Sequence, residues 1–436
     1  MLEQSYKEVI MTCEGNLSVQ PRLASLTPKS MESLNQLEAS NSGEHRRGTT
    51  FFKTCFNGLN SLAGIGILSM PYAISEGGWL SFILLLIFAM ICWYTAILLE
   101  RCMTKHPLIN SYPDIAEVAF GYRGRAVIAI FIYVELFLIA VELLIIEGDN
   151  LEKLFPNMKF KIGGLRIEGE RGFILLASLV ILPTTWLRSL GALAYVSFGG
   201  VLASSILIGC VLWVGVFDGV GFHQRGVLVN WEGLPTAMSL FAFCYCAHAV
   251  MPTICSSMND RTQFSKVLMV CFVASTIIYG SIAILGYTMF GEELKSQITL
   301  NLPTKKISTK IAILTTVINP FTKYAVVITP IANAIEDKWL LCKRKPIAIL
   351  IRTTIVVSSV LMALFIPFFG YIMAFIGAFM SVAISLLFPC LCYLKINKTA
   401  RRFGLEMVII IAILVIGTFI GIIGTYLSVK HIVTHL

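Results

Sequence analysis

The chain has 436 residues, of which only 14% are Asp, Glu, Lys or Arg, against roughly 25% in an ordinary soluble domain. Hydrophobic residues make up 56% and gather in runs of about twenty, the length that crosses a bilayer as a helix. A soluble globule cannot hide such runs, a transmembrane β-barrel would show alternating segments of about ten residues instead, and a net charge of +9 spread over loops argues against a nucleic-acid partner.

Residues 1–50 are rich in Ser, Asn and Glu and contain no apolar run, so a disordered cytosolic tail is expected there. No charged n-region leading into an apolar stretch opens the chain, and no cleaved signal peptide is expected. Apolar runs then predict membrane helices at 51–74, 78–99, 124–147, 173–189, 191–217, 234–256, 264–290, 311–335, 346–366, 369–394 and 405–429. The shallowest break is Leu187-Arg188-Ser189-Leu190-Gly191; if the spans on either side merge, ten remain. Lys and Arg set orientation. With the N-terminus in the cytosol, 18 basic residues fall on the cytosolic side and 11 on the other. The sequons Asn16-Leu17-Ser18 and Asn397-Lys398-Thr399 then face the cytosol and should be unused.

Two spans are interrupted. The first reads Asn60-Ser61-Leu62-Ala63-Gly64-Ile65-Gly66-Ile67-Leu68-Ser69-Met70-Pro71, and its glycines and proline are expected to open the helix near mid-membrane, freeing backbone N–H groups to meet a carboxylate. The plainer reading is that Gly64 and Gly66 only let helices pack closely. The sixth span reads Phe241-Ala242-Phe243-Cys244-Tyr245-Cys246-Ala247-His248-Ala249-Val250-Met251-Pro252, small and polar residues running into a proline. Paired interruptions five spans apart are what two halves of a transporter would show around a substrate site.

Ionisable groups inside spans are costly and must face the bundle interior. Glu135 and Glu142 lie seven residues apart in the third span, on one face of a helix. Lys323 lies in the eighth span beside Asn319, Pro320 and Thr322, and His248 in the sixth. A proton-coupled carrier needs such groups, and His248 titrates near neutral pH when unperturbed. Structural alternatives stand beside each. Lys323 is a counter-ion to Glu135, His248 a hydrogen-bonded packing residue, and Glu142 a group in a wet outer vestibule. Arg352 is expected to snorkel to the cytoplasmic interface. The twelve Cys form no framework or ligand cluster, so no metal or cofactor is expected. No His-Glu-x-x-His run and no Gly-Lys dipeptide of a phosphate loop occurs, which leaves no enzyme motif.

Phe56-Asn57-Gly58-Leu59-Asn60, then Leu68-Ser69-Met70-Pro71-Tyr72-Ala73 and Gly77-Gly78-Trp79, resemble the amino acid/auxin permease family in its plant and fungal vacuolar branch. Ser111-Tyr112-Pro113-Asp114-Ile115, Leu144 to Leu151 and Asn319-Pro320-Phe321-Thr322-Lys323-Tyr324 extend the likeness over residues 51–430. The resemblance implies an all-α polytopic membrane protein of about eleven transmembrane helices. It implies a LeuT-like five-plus-five inverted repeat of the amino acid–polyamine–organocation superfamily, in repeats 51–217 and 234–394, with an extra helix at 405–429. It places Asn60, Ser61, Gly64, Ile65, Gly66 and Ser69 of the first span, and Phe243, Cys244, Tyr245, Cys246 and Ala247 of the sixth, on the substrate. His248, Glu135 or Lys323 would then carry the coupling proton. Ile65 stands where some relatives have a hydroxyl, which speaks against sodium coupling. The expected function is proton-coupled exchange of neutral amino acids into an acidic vacuole, by a monomer in the vacuolar membrane. Symport out of the vacuole, uptake at the plasma membrane, and an amino acid sensor signalling through the tail are the alternatives.

Overall fold

Segments apolar on every side must close their own backbone hydrogen bonds in a bilayer, and the helix does so within one segment. A computed structural model describes residues 48–106, 109–162, 165–186, 193–338, 345–366, 369–401 and 404–435. The tail through residue 47 and the expected break at 187–191 lie outside the described residues. The first span consists of two helices, α1 (Phe51–Leu62) and α2 (Gly66–Gly77). Then come α3 (Ser81–Lys105) and α4 (Tyr112–Leu154). A short antiparallel hairpin, β1 (Phe160–Ile162) with β2 (Leu165–Ile167), pairs Phe160 with Ile167. After α5 (Gly169–Thr185) and α6 (Leu193–Phe217), the sixth span is again split, into α7 (Leu234–Cys244) and α8 (Met251–Ser256). The chain continues through α9 (Phe264–Phe290), α10 (Ile307–Lys338) and α11 (Lys345–Phe365). It then enters α12 (Phe369–Phe375), two π-helical stretches at Ile376–Ser381 and Ala383–Leu387, α13 (Phe388–Ile396) and finally α14 (Leu405–His435).

Eight of these continuous segments are long and apolar enough to cross a membrane, so the chain is a multi-pass helical membrane protein. The other three expected spans fall on α1 with α2, on the 17 residues of α5, and on α7 with α8. Helix α4 differs most from expectation. Its 43 residues would extend about 65 Å if straight, twice a bilayer core. It bends at Gly121, where φ is +71°, a conformation that side chains with a Cβ resist. Before the bend, Ser111 and Asp114 form a capping box, and Arg125 reaches back across it to Asp114 at 2.9 Å and Glu117 at 2.5 Å. Beyond the bend, α4 packs against α5, α10, α11 and α13, and from Ala140 to Gly148 every residue is buried.

Large apolar side chains stay exposed on the rim, among them Met90 of α3, Ile277 of α9 and Phe419 of α14. On a chain with these spans such a rim meets lipid. Contrary to expectation, Arg352 does not snorkel. It is 3% exposed and bonds to Glu336 at 3.0 Å, to the Thr185 carbonyl at 2.9 Å and to Asn333 at 3.0 Å. Its planar fork thus ties α5, α10 and α11 together, the geometry for which guanidinium is suited.

Candidate functional site

Both expected interruptions are present. Helix α1 ends at Leu62, Ala63 leaves helical geometry at φ −77° and ψ 52°, and the Gly64 N–H turns back to the Leu62 carbonyl at 2.8 Å. Helix α2 starts at Gly66, so its first N–H groups, which have no acceptor one turn earlier, point into the break. The last carbonyls of α1 face the same gap from the other side. Pro71 is not part of this opening, contrary to expectation. It lies inside α2 and is fully buried, one turn past the helix start, where the missing N–H affects only the first turn. In the sixth span the last α-helical bond runs from Tyr245 N–H to the Phe241 carbonyl, and Cys246 N–H turns more tightly onto the Phe243 carbonyl, at 3.1 Å each. Here the proline does act as expected, since Pro252 sits in the first turn of α8, where proline suits a helix start.

The two glycines of the first break have different jobs. A Cβ on Gly66 would fall 2.4 Å from Cys244 Sγ and 3.3 Å from Cys244 Cα, so Gly66 lets the two broken helices touch, as the plain packing reading holds. A Cβ on Gly64 would meet nothing nearer than Lys323 Nζ at 3.8 Å. Gly64 and Ile65 line a cavity with Leu143 and Ile146 of α4, Ser204 of α6, and Asn319 and Lys323 of α10. Its volume of about 30 Å³ holds one or two waters.

Tyr279 of α9 was not singled out in the sequence, yet its hydroxyl reaches both breaks. It is within hydrogen-bond reach of the Leu62 carbonyl and of the Cys244 carbonyl, the latter at 3.0 Å. One hydroxyl proton serves two carbonyls, so the two helix ends share a single donor. A tyrosine in mid-span, whose hydroxyl must find a partner in an apolar helix, was the available signal. Ser204 adds a second link, to the Ala63 carbonyl at 3.4 Å.

The remaining expected residues do not gather on the cavity. The Asn60 side-chain oxygen fills the space that Gly200 of α6 leaves by lacking a Cβ. Ser61 bonds back to the Asn57 carbonyl at 2.9 Å and shares a small cleft with Ala247. Ser69 is buried and bonds to the Gly66 carbonyl at 3.2 Å. Phe243 packs beside Gly377 of the π-helical stretch, and Cys244 beside Gly66. Tyr245 turns away, its hydroxyl 2.9 Å from Thr276 and its ring edge-on to Tyr279. Cys246 donates to Glu135 at 3.5 Å.

The titratable candidates occupy three separate places. Lys323 has no hydrogen-bond or ion-pair partner among the described residues, and the expected pairing with Glu135 does not form. Glu135 is 5% exposed and accepts from Ser381 at 2.8 Å as well as from Cys246. His248 is fully buried, its Nε2 lying 3.0 Å from Thr95 Oγ1 and 3.1 Å from the Cys92 carbonyl of α3, while Nδ1 has no partner. Glu142 is not in a wet vestibule either. It is 0% exposed, and neither carboxylate oxygen has a partner.

The family described as transmembrane amino acid transporter protein matches residues 47–430. The chain is 49% identical to amino acid transporter AVT1I of Arabidopsis thaliana, over 88% of this chain and 96% of that one. It is 47% identical to AVT1J of the same plant, over 88% and 92%. A vesicular inhibitory amino acid transporter of Xenopus laevis is 22% identical over 96% and 84%. Among solved structures, MhsT in complex with L-phenylalanine superposes with a TM-score of 0.52 over 86% of this chain and 100% of that one, at 16% identity, a likeness of fold. With a family match across nearly all of its membrane-spanning length, the chain belongs to the transmembrane amino acid transporter family.

Proposed function

We propose that the protein is a secondary active transporter that moves neutral amino acids into an acidic vacuole in exchange for protons, by alternating access. The observation that carries this reading is the pair of broken helices sharing the Tyr279 hydroxyl, with a cavity lined by Gly64 and Ile65 at the first break. A substrate α-carboxylate fits the free N–H groups at the start of α2, and an α-ammonium fits the carbonyls ending α1. The L-phenylalanine complex of a protein with the same fold supports an amino acid as the ligand. A cavity of about 30 Å³ is too small for any amino acid, so the site must widen toward one side to load, which is the gating that alternating access requires.

In this reading residues 51–217 and 234–394 are inverted repeats and α14 is the extra helix. The protein acts as a monomer with its N-terminus in the cytosol. Lys323, facing the first break with no counter-ion among the described residues, is the group whose charge an entering zwitterion would sense first; Glu135 and His248 lie at the second break. The test is uptake of labelled neutral amino acids by sodium-free proteoliposomes, with the interior acidified or at equal pH. Accumulation that needs the acidic interior, and that falls in Lys323→Gln and His248→Ala, is expected. Accumulation indifferent to the gradient overturns proton exchange, and binding without flux under any gradient favours a sensor.

A further inference from the structure

Helix α4 carries Glu135, Glu142 and Asp149, each seven residues beyond the last. On a helix of 3.6 residues per turn this keeps all three on one stripe, drifting about 20° and rising about 10.5 Å per step. The stripe runs from the protein core to a water-accessible opening. Asp149 lines a cavity of about 350 Å³ together with Tyr72, Lys295, Ser296 and Tyr371. There its Oδ2 accepts from Gln297 at 2.5 Å, and Gln297 in turn accepts from Asn150 at 2.7 Å. In the middle, Glu142 is fully buried with both oxygens unpartnered. At the inner end, Ser381 and Cys246 both donate to one oxygen of Glu135, Oε1.

A buried carboxylate with no donor and no cation is expensive as an anion. Retaining Glu142 in mid-span has no packing rationale, because a leucine or methionine would fill the same space without that penalty. Among the described residues none of the three carboxylates is in an ion pair. The charges around them are accounted for. Glu142 senses Glu135 along its own helix and Cys244 of the second break. Asp149 faces Glu152, Glu170 and Lys295. Lys323, on the neighbouring α10, lines the cavity at Gly64 instead, and Arg352 is committed to Glu336. Glu147, also buried and unpartnered, sits about 140° around the helix from Glu142, off the stripe.

We propose that this stripe is the path by which protons pass between the Asp149 cavity and the core, with Glu142 as the intermediate carrier. The inference rests on the proton-coupled reading above. Asp149 takes a proton from water in its cavity and passes it along a short chain of intervening waters to a Glu142 oxygen. Glu142 then hands it on to Glu135 along a second such chain. Each step breaks one O–H bond and makes another, so one proton moves and no second reactant is consumed. Glu135 accepts on Oε2, which leaves both bonds to Oε1 in place. A spacing of about 10.5 Å per step is too long for direct transfer, so the relay conducts only when movement admits water between the carboxylates. In the closed arrangement the dry Glu142 blocks a leak. The donors on Glu135 belong to the second helix break and to the π-helical stretch Ile376–Ser381. Its protonation is therefore felt by the two irregular elements best able to move.

The test uses full-length protein in proteoliposomes and three readouts: gradient-driven accumulation of labelled L-leucine, leucine-evoked proton flux followed by a trapped pH dye, and leucine counterflow at equal pH. Glu142→Gln should keep counterflow within about twofold while losing accumulation and proton flux by about tenfold or more. Glu142→Asp should restore part of both, and Glu147→Gln should leave all three unchanged. Asp149→Asn, at the cavity rather than in the core, should slow proton flux and shift its pH profile; it decides the matter if Glu142→Gln does not fold. Glu142→Gln with wild-type proton flux, or Asp149→Asn with an unshifted profile, overturns the relay and leaves transport standing. Wild-type protein that takes up leucine with no proton flux overturns the relay and the proton-coupled reading together.

Discussion

The two broken helices look alike in sequence and differ in what surrounds them. The first break opens onto a cavity, its Gly64 faces space, and the first N–H groups of α2 have no acceptor one turn earlier. The polar side chains of the second break are instead taken up by neighbouring helices. Tyr245 bonds to α9, Cys246 to Glu135 of α4, and His248 to α3. An open break with unspent donors is suited to hold a ligand, and one whose polar side chains engage different helices is suited to transmit movement. Tyr279 joins them, so a change in one alters the donor available to the other.

Substitutions that separate the two breaks sharpen the contrast. The largest effect on transport is expected at Gly66. Gly66→Val drives side-chain atoms into Cys244 and should abolish uptake and lower the thermal unfolding temperature, since overpacking costs about 1–3 kcal/mol or more. Gly64→Ala should fold normally and weaken substrate binding alone. If Gly66→Val is tolerated, the two helices do not touch as described. Next is Tyr279→Phe, which leaves both helix ends without their shared donor. Stability should fall by about 1–3 kcal/mol, with slower turnover, read by unfolding and initial-rate uptake. A variant with unaltered turnover would show that the breaks move independently. Arg352→Met, remote from both breaks, should destabilise by about 3–5 kcal/mol, because it breaks a buried ion pair and removes the guanidinium that joins α5, α10 and α11. The protein that still folds should transport with wild-type substrate affinity. The smallest effect belongs to Thr95→Val, which removes one neighbour of His248 at constant shape. A stability loss of about 1 kcal/mol is expected, together with a modest change in the gradient dependence of uptake.

What was legible in the sequence was local. Apolar runs fall on helices because length and composition decide which segments are helical in lipid, and both breaks were visible as glycine, proline and polar residues inside such runs. Which proline mattered was not visible. Pro71 and Pro252 read alike, and only the helix start point distinguishes them. Pairings across the bundle were equally hidden. Lys323 and Glu135 were matched by charge alone, whereas the fold gives Glu135 to Ser381 and Cys246. Arg352 looked peripheral by its place near the start of a span, and its three acceptors come from 16 to 167 residues away. Tyr279 passed as one more aromatic residue in an apolar helix, since its two carbonyl partners exist only because two distant helices both end beside it.

The division of labour between the breaks is tested most directly by equilibrium binding of labelled L-leucine to purified Ile65→Trp and Cys246→Ala, measured side by side with wild type. If the first break binds and the second transmits, Ile65→Trp raises the dissociation constant by about tenfold or more, equivalent to about 1.4 kcal/mol. Cys246→Ala then keeps wild-type affinity while its turnover falls. Equal losses of affinity in both variants, or a loss confined to Cys246→Ala, would contradict the account.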